Sequence, residues 1–209
     1  MAGILWTALA ASQPVNLADS LQTIFADSPV FTARLDNRNT FIDGKSAATF
    51  GIKAGLTWRK SFTLGLGYHW LRDGTSLKVP SGDTTLVRDV RMRYVALFAE
   101  YTFFRRGAWE AAVPVQIGIG TSFLATENGE TPVAGTRATI AMYEPAMLIE
   151  YKVLNLIGLG GGLGYRLMLA GNRNIDLRFT APVYMLRLRL IIPDAIKVKI
   201  NKRIRPNTK

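Results

Sequence analysis

The sequence predicts an all-β fold, an eight-stranded antiparallel up-and-down β-barrel that crosses a membrane. From Pro29 to about Ile192, apolar residues alternate with small or polar ones at a period of two, as expected for strands with one apolar face. In Phe62–Trp70 (FTLGLGYHW) the apolar face begins and ends on aromatic residues, whereas the other face carries Gly, Thr and one His. Aromatic girdles at both ends of an apolar band are typical of strands that cross a bilayer.

The composition is that of one domain without a transmembrane helix. The chain has 209 residues, 48% of them hydrophobic, and a mean hydropathy of +0.13. It contains no apolar run of roughly 18 residues, the length that a spanning helix requires. A helical membrane protein is therefore excluded. The chain has no cysteine, which fits an envelope protein but also many cytosolic ones.

Two segments precede the strands. Residues 1–14 contain an apolar stretch and a small-x-small pattern like the end of a signal peptide, but the first basic residue is Arg34. A signal-peptide remnant and a disordered N-terminus are both open interpretations. For residues 15–27 the pattern predicts a short periplasmic helix that Asn16 caps.

Strand patterns and connector lengths together predict the topology. Clear patterns lie at about 47–58, 62–71, 86–104, 109–124, 136–152, 156–169 and 180–192. The connectors alternate between short ones (59–61, 105–108 and 153–155) and long ones (72–85, 125–135 and 170–179). Bacterial barrels have short periplasmic turns and long outer loops, so strand 47–58 is expected to run toward the periplasm.

An eighth strand is needed to carry the chain outward first. Val30–Asp36 is the candidate, and the polar segment Asn37–Ser46 is predicted to be the loop that follows it. The barrel then spans residues 28–193, with a basic periplasmic tail at 194–209 and both termini in the periplasm.

Aromatic residues on the outward side of these strands form two predicted belts. Phe62 and Trp70 are eight residues apart, which corresponds to about 20 Å across a tilted wall, near the expected apolar band of about 25 Å. The periplasmic belt comprises Trp58, Phe62, Tyr101, Phe103, Trp109 and Tyr151, and the outer belt comprises Tyr68, Trp70, Phe123, Tyr143, Tyr165 and Tyr184.

Paired glycines on the predicted luminal side recur in G65-L-G-Y, G162-L-G-Y and G118-I-G. Glycine rows are expected to leave room inside a narrow barrel for bulky side chains from the opposite wall. With the girdled strands and short basic turns, these segments resemble the small eight-stranded outer-membrane barrels of the type of outer-membrane proteins A and X. They resemble more closely the uncharacterised barrel families of Bacteroidota-type bacteria.

The resemblance covers about residues 28–193 and implies a location in the outer membrane of a Gram-negative bacterium. One feature departs from it: such barrels usually end on an aromatic strand residue, whereas here the last strand ends I-I-P-D and a tail follows.

Charged and polar residues on the luminal parity are the first candidate site. Charges in a narrow lumen require partners, so Arg187 and Arg189 are expected to pair with Glu100, Glu110 and Glu150. A gated pore or proton path is one interpretation, and an ion-pair plug, which eight strands favour, is the other. The candidate luminal residues are Lys53, His69, Glu100, Glu110, Gln116, Glu144, Glu150, Arg166, Arg187 and Arg189.

Two prolines interrupt strand patterns and are predicted to mark β-bulges. Proline removes a ladder hydrogen bond, so Pro114 and Pro145 are candidate sites of a one-residue slip. Such a slip would exchange the inward and outward faces beyond it.

The sequence offers no catalytic or cofactor motif. His69 is the sole histidine and lacks a recognisable serine and acid motif around it. The glycine-rich run 158–164 lies within a strand and opens no helix, so it does not predict a nucleotide site. We therefore expect no enzyme activity, cofactor or metal, with a lipid-modifying enzyme dependent on His69 kept as an alternative.

The net charge of +11 is concentrated at one end of the predicted barrel. This basic periplasmic surface is expected to contact membrane lipids, and through the tail an acidic envelope protein; a solvated tail with interfacial anchors is the alternative. Nucleic acid is not an expected partner. The residues are Arg59, Lys60, Arg105, Arg106 and Lys152 in the turns, and Lys197, Lys199, Lys202, Arg203 and Arg205 in the tail.

These observations predict an integral outer-membrane barrel with a filled lumen, a structural or accessory component of an envelope protein assembly. A narrow channel or carrier for small hydrophobic compounds and a lipid-modifying enzyme are the alternatives. A soluble lipocalin-like carrier is disfavoured because its apolar face would point inward.

Overall fold

The fold was analysed in a computed structural model, which describes residues 25, 27–42, 45–72, 76–81, 84–125, 133–154, 156–171 and 180–191. No helix within these ranges is long and apolar enough to cross a membrane. The strands are β1 (Val30–Ile42), β2 (Lys45–Trp58), β3 (Phe62–Leu71), β4 (Ser76–Ser81), β5 (Thr84–Arg106), β6 (Trp109–Ala125), β7 (Ala138–Leu154), β8 (Ile157–Ala170) and β9 (Ala181–Ile191).

The strands form a closed antiparallel barrel with eight positions around its wall. Pairing runs β3-β2-β1-β9-β8-β7-β6-β5, and β3 also pairs with β5, which closes the sheet. The short strand β4 adds no ninth position, because β3 pairs with 93–101 of β5 and β4 with 84–89 of the same strand. The predicted eight-stranded antiparallel barrel is confirmed.

The two ends of the barrel differ. One end of the barrel, here named the short-turn end, carries the turns at 59–61 and 107–108, the end of β7, the start of β8, the start of β1 and the end of β9. At the opposite end, here named the loop end, β1, β3, β6 and β8 end and β2, β7 and β9 begin.

The first strand is longer than predicted. β1 pairs with β2 without interruption from Val30↔Thr57 to Ile42↔Lys45, so the predicted loop Asn37–Ser46 is wrong. The polar residues of this segment face the barrel interior in alternation, Arg38 and Thr40 being 2% and 1% exposed. Their polarity therefore reflects a charged lumen rather than a loop.

The outer wall is apolar. Leu66, Ile119 and Leu186 are 59–64% exposed, whereas Arg34 and Lys53 on the inner face are about 1% exposed. A soluble protein distributes these residue types in the opposite way. Residues of both predicted aromatic belts lie on the outward parity, among them Tyr101, Trp109, Tyr68 and Tyr184. Such a surface is suited to a bilayer core with interfacial girdles, as in membrane-spanning barrels.

The two prolines do not shift the strand register, and the predicted slip is wrong. β6 pairs with β7 at Ala112↔Leu148 and again at Val115↔Pro145, an advance of three residues on each strand. The ladder omits the intervening pairs, because proline has no N–H to donate, but no extra residue enters. Inward and outward faces are preserved on both sides, and Glu144 and Glu150 both face inward.

The chain before β1 reaches the short-turn end. The Phe25 ring lies 4.9 Å from the Trp58 ring and 5.9 Å from the Phe62 ring, between centroids. The predictions for residues 1–14, for most of 15–27 and for the tail 194–209 concern residues outside the described ranges.

Candidate functional site in the barrel interior

A connected set of ion pairs fills the middle of the barrel. We name it the central network; its side chains are at most 3% exposed. Its members come from β1, β2, β5, β7, β8 and β9, so that charges from six strands meet in one lumen. They are Arg34, Asp36, Arg38, Lys53, Glu100, Glu144, Arg166 and Arg187.

Asp36 on β1 is the hub of this network. Its carboxylate lies 2.9 Å from Lys53 Nζ, 3.0 Å from Arg38 Nη2 and 3.1 Å from Arg187 Nε. The three cations come from β2, β1 and β9, the strand that bears Asp36 and its two neighbours. A buried carboxylate is costly without partners, and this one has three.

Two further carboxylates extend the network across the lumen. Glu100 on β5 accepts from Arg34 Nη1 at 2.8 Å and also from Arg187. Glu144 on β7 accepts from Arg166 Nε at 2.8 Å and pairs with Arg38. A continuous path of charge contacts therefore links β5 to β7 through β9 and β1.

A second group of charges, the lower cluster, lies between the central network and the short-turn end. Arg189 bridges Glu110 and Glu150, the latter at 2.5 Å. Arg105 Nε and Lys152 Nζ each lie 2.5 Å from Glu110 Oε1. The Arg105 and Lys152 side chains are 31% and 26% exposed, so the cluster reaches solvent at this end.

The opposite half of the lumen is closed by apolar side chains, here named the apolar cap. They come from the loop-end parts of β2, β3, β5, β6 and β7. Its buried members are Ala47, Leu71, Val90, Met92, Tyr94, Ala96, Leu124, Ile140 and Met142, against which Val133 and Met168 pack.

The His69 ring joins the cap to the central network. It stacks on Tyr94 with ring centroids 4.7 Å apart and planes 6° from parallel. His69 is fully buried, and neither ring nitrogen has a hydrogen-bond partner among the described residues. Gly51 on β2 is the cross-strand partner of His69, and glycine is required at this position because a Cβ would overlap the imidazole.

The luminal glycines accommodate bulky side chains, as predicted, but from neighbouring strands rather than the opposite wall. A Cβ on Gly65 would overlap the Phe98 ring of the adjacent β5, and one on Gly67 would meet the Lys53 stem of the adjacent β2. The Phe98 ring in turn lies 4.9 Å from Lys53 Nζ and 5.2 Å from Arg34 Cζ, which adds cation–π contacts to the network.

All ten luminal candidates from the sequence lie inside the barrel. Eight of them form ion pairs, among them the expected Arg187–Glu100, Arg189–Glu110 and Arg189–Glu150. His69 and Gln116 form none with the described residues, and the Gln116 amide has no hydrogen-bond partner there. The ion-paired candidates are Lys53, Glu100, Glu110, Glu144, Glu150, Arg166, Arg187 and Arg189.

Sequence reasoning missed Arg34, Asp36 and Arg38, three central members on β1. The available signal was their spacing, since 32, 34, 36, 38 and 40 are all Thr, Arg or Asp. With them, the described interior holds six buried cations and five buried carboxylates, a nearly balanced set. Among the described residues, no group of three His, Asp or Glu side chains is placed to hold a metal ion.

The five basic turn residues are all at the short-turn end, but three of them form ion pairs within the chain. Arg59 pairs with Asp27 at 2.8 Å, and Arg105 and Lys152 pair with Glu110 of the lower cluster. Arg59 and Lys60 occupy the two central positions of the β2–β3 turn with φ of 49° and 57°. The tail residues Lys197, Lys199, Lys202, Arg203 and Arg205 lie outside the described ranges.

The exterior and interior together define a small membrane-spanning β-barrel whose lumen is filled by its own side chains. Several solved structures are similar to it, among them two bacterial barrels. The crystal structure of Neisserial surface protein A (NspA) matches 79% of this chain and 98% of its own at 12% identity, with a TM-score of 0.53. The N-terminal β-barrel domain of Pseudomonas aeruginosa OprF matches 78% of this chain and 96% of its own at 12% identity, also with a TM-score of 0.53.

These likenesses establish the fold. No family model matches the chain, and no curated protein matches it in sequence. The predicted likeness to Bacteroidota-type barrel families stays a prediction.

Proposed function

We propose that this chain is an integral protein of the bacterial outer membrane, a closed barrel that serves as a structural or accessory component of an envelope assembly. One observation carries the proposal: the lumen is occupied along its length by the lower cluster, the central network and the apolar cap. An eight-stranded barrel has an interior only wide enough for side chains to fill. A channel would require a continuous polar path, and the apolar cap interrupts it.

The short-turn end faces the periplasm in this proposal, because bacterial barrels have short turns on that side. Both ends of the barrel sequence, Val30 and Ile191, then lie there. Lys60 and Arg106 form no ion pair with the described residues and, with the basic tail, offer positive charge to anionic lipid headgroups or an acidic envelope protein. A nucleic acid is not a partner that this compartment supplies.

The proposal assigns no catalytic role to His69. The ring is buried inside the wall and stacked on Tyr94, so a lipid substrate in the bilayer has no access to it. Substitution of His69 by Ala is therefore expected to leave any lipid-modifying activity of the membrane fraction unchanged. A loss of such activity would instead favour the enzyme alternative.

Electrical recording tests the closed lumen. The full chain, folded in detergent and inserted into planar bilayers in 1 M KCl, is expected to give no unitary conductance. Insertion is checked on the same preparation by the faster electrophoretic migration of the unheated, folded barrel. Stable ohmic steps from the inserted wild type would contradict the proposal and favour a narrow channel.

Single introduced cysteines test the orientation of the barrel in the membrane. The chain suits this experiment because its sequence contains no other cysteine. Ala134 is exposed in the β6–β7 connection and Arg106 is exposed at the end of β5, so Ala134→Cys and Arg106→Cys place one thiol at each end of the barrel. A membrane-impermeant maleimide added to intact cells is expected to label the first and not the second. Labelling of Arg106→Cys alone would reverse the proposed orientation.

A further inference from the structure

A crevice of about 340 Å³ lies on the outer wall of the barrel near the loop end. It crosses β3, β5 and β6 and reaches the residue before β7. Its level is that of the outer aromatic belt, because Arg93 in the crevice pairs across the sheet with Trp70. Its outward-facing lining comprises Tyr68, Arg93, Val95, Ile119, Thr121 and Arg137.

The crevice is polar at one end and apolar at the other. Tyr68, Val95 and Ile119 are consecutive cross-strand partners and form an exposed apolar row. Arg93 and Thr121 form the next outward row toward the loop end. Along the strands from the loop end toward the barrel middle, the crevice therefore offers a cation and a hydroxyl first and apolar side chains next. A lipid presents its polar headgroup and its acyl chain in the same order.

The arginines of the crevice are uncompensated within the described structure. Neither Arg93 nor Arg137 forms an ion pair with a described residue, whereas every buried arginine of the lumen does. Arg93 lies on β5 and Arg137 precedes β7, two strands away. At the usual strand spacing the two backbones are about 10 Å apart, so the pair matches a headgroup with several negative charges better than the single charge of a phosphodiester.

We propose that this crevice binds the headgroup of a glycolipid that carries a phosphate at each end of a disaccharide, in the outer leaflet of the membrane. The proposal rests on the proposed function for the orientation of the loop end. Arg93 and Arg137 each bind one phosphate, Thr121 Oγ1 donates a hydrogen bond to the headgroup, and an acyl chain lies along Tyr68, Val95 and Ile119. A phospholipid with one phosphodiester offers the two arginines only one negative charge.

The chain itself supplies a control surface. A second outward crevice at the short-turn end is lined by Trp109, Tyr151, Phe104 and Arg106, and it holds one arginine beside aromatic residues. Like the first crevice, it lies on the outer wall near one end of the barrel and contains aromatic residues, but it has one arginine instead of two.

The test compares lipids retained by the full chain. Wild type, Arg93→Gln/Arg137→Gln and Arg106→Gln are folded in detergent with an equimolar mixture of bisphosphorylated lipid A, phosphatidylglycerol and phosphatidylcholine, and bound lipid is measured by native mass spectrometry. Wild type and Arg106→Gln are expected to retain lipid A preferentially, and the double variant to retain it at least tenfold less. Single Arg→Lys changes are expected to give intermediate retention, because lysine lacks the bidentate geometry.

Three outcomes overturn the proposal: equal lipid A retention by the double variant, a loss in Arg106→Gln as large as in the double variant, or a preference for phosphatidylglycerol. Electrical recording of the same preparations keeps the two proposals separate. A wild type that conducts but retains lipid A through Arg93 and Arg137 supports the lipid site and contradicts the closed lumen.

Discussion

At the scale of single residues, Arg187 is the side chain on which most of the interior charge balance depends. It donates to Asp36 at 3.1 Å and also binds Glu100, and its side chain is fully buried. Breaking a buried ion pair by removing one partner leaves an uncompensated charge and costs far more than the pair contributes on its own. The lumen should therefore tolerate paired apolar replacement better than loss of one cation.

We expect Arg187→Ala to lower the free energy of unfolding by about 3 to 5 kcal/mol, since two buried carboxylates lose a partner. Urea unfolding in phosphatidylcholine vesicles, followed by tryptophan fluorescence, measures it. The free energy of unfolding of Arg187→Lys should lie between those of Arg187→Ala and wild type. Exposed Arg106→Ala is the control and should unfold like wild type; an equal loss in both variants would contradict the network's role.

The β2–β3 turn gives a prediction of opposite sign. Arg59 and Lys60 both have positive φ, a conformation that Asn and Gly adopt at lower cost. Arg59→Asn/Lys60→Gly is expected to raise the free energy of unfolding by about 1 kcal/mol, because the Arg59–Asp27 pair that is lost is half-exposed. The same urea titration measures it. As a control, Gly107→Ala should destabilise the barrel, because Gly107 has a φ of 58° in another short turn. If Arg59→Asn/Lys60→Gly were no more stable than wild type, backbone strain at Arg59 and Lys60 would be excluded.

At the scale of elements, the outward faces of most strands were predictable from the sequence, whereas the contacts of the inward face were predictable only in part. The alternation in Phe62–Trp70 fixes both faces locally, since each side chain points opposite to the next. The unpredicted Arg38–Glu144 and Arg34–Glu100 contacts join β1 to β7 and β1 to β5, and they depend on how far the sheet staggers before it closes. No local pattern encodes that stagger.

β1 shows why part of the site was missed. Arg38 belongs to the polar segment Asn37–Ser46, which resembles a loop when the strand is considered alone, and Asp36 ends the predicted strand just before it. Only pairing with β2 and β9 shows that both residues lie within one strand and point inward. Likewise β4 falls within the long connector predicted at 72–85, because its pairing with β5 is not visible from its own sequence.

A strand-level prediction tests the lipid-facing wall. Leu66 lies mid-strand in β3 and is 59% exposed, with Ala54 and Leu97 beside it. Leu66→Arg is expected to cost about 2 to 4 kcal/mol of unfolding free energy in vesicles, because the guanidinium enters the bilayer core. Leu169→Arg, equally exposed but next to the end of β8, should cost at most about 1 kcal/mol. Equal costs at both positions would contradict a bilayer centred on Leu66.

At the scale of the whole molecule, two barriers of different chemistry lie in series along the barrel axis. The apolar cap excludes hydrated ions by leaving no polar path, and the central network blocks the middle of the lumen with side chains that hold one another. We expect either barrier alone to prevent conduction.

Truncation of the cap therefore should not open the barrel. Tyr94→Ala/Met142→Ala is expected to remain non-conducting in planar bilayers, because Arg38, Glu144 and their partners still fill the lumen. Adding Arg38→Ala and Glu144→Ala should produce small, ohmic steps. Heat-dependent electrophoretic mobility confirms that each variant is folded, and conduction after removal of the cap alone would show that the network is not a barrier.

The pairing of β1 with β9 has a consequence for biogenesis. The first and last strands meet at this seam, and between them they supply Arg34, Asp36, Arg38, Arg187 and Arg189 to the interior. A seam that joined one residue out of register would turn one strand's charges toward hydrocarbon. Only the correct closure, which requires the last strand, therefore hides these charges from hydrocarbon, and a misjoined barrel would carry the free-energy cost of charged side chains in the bilayer.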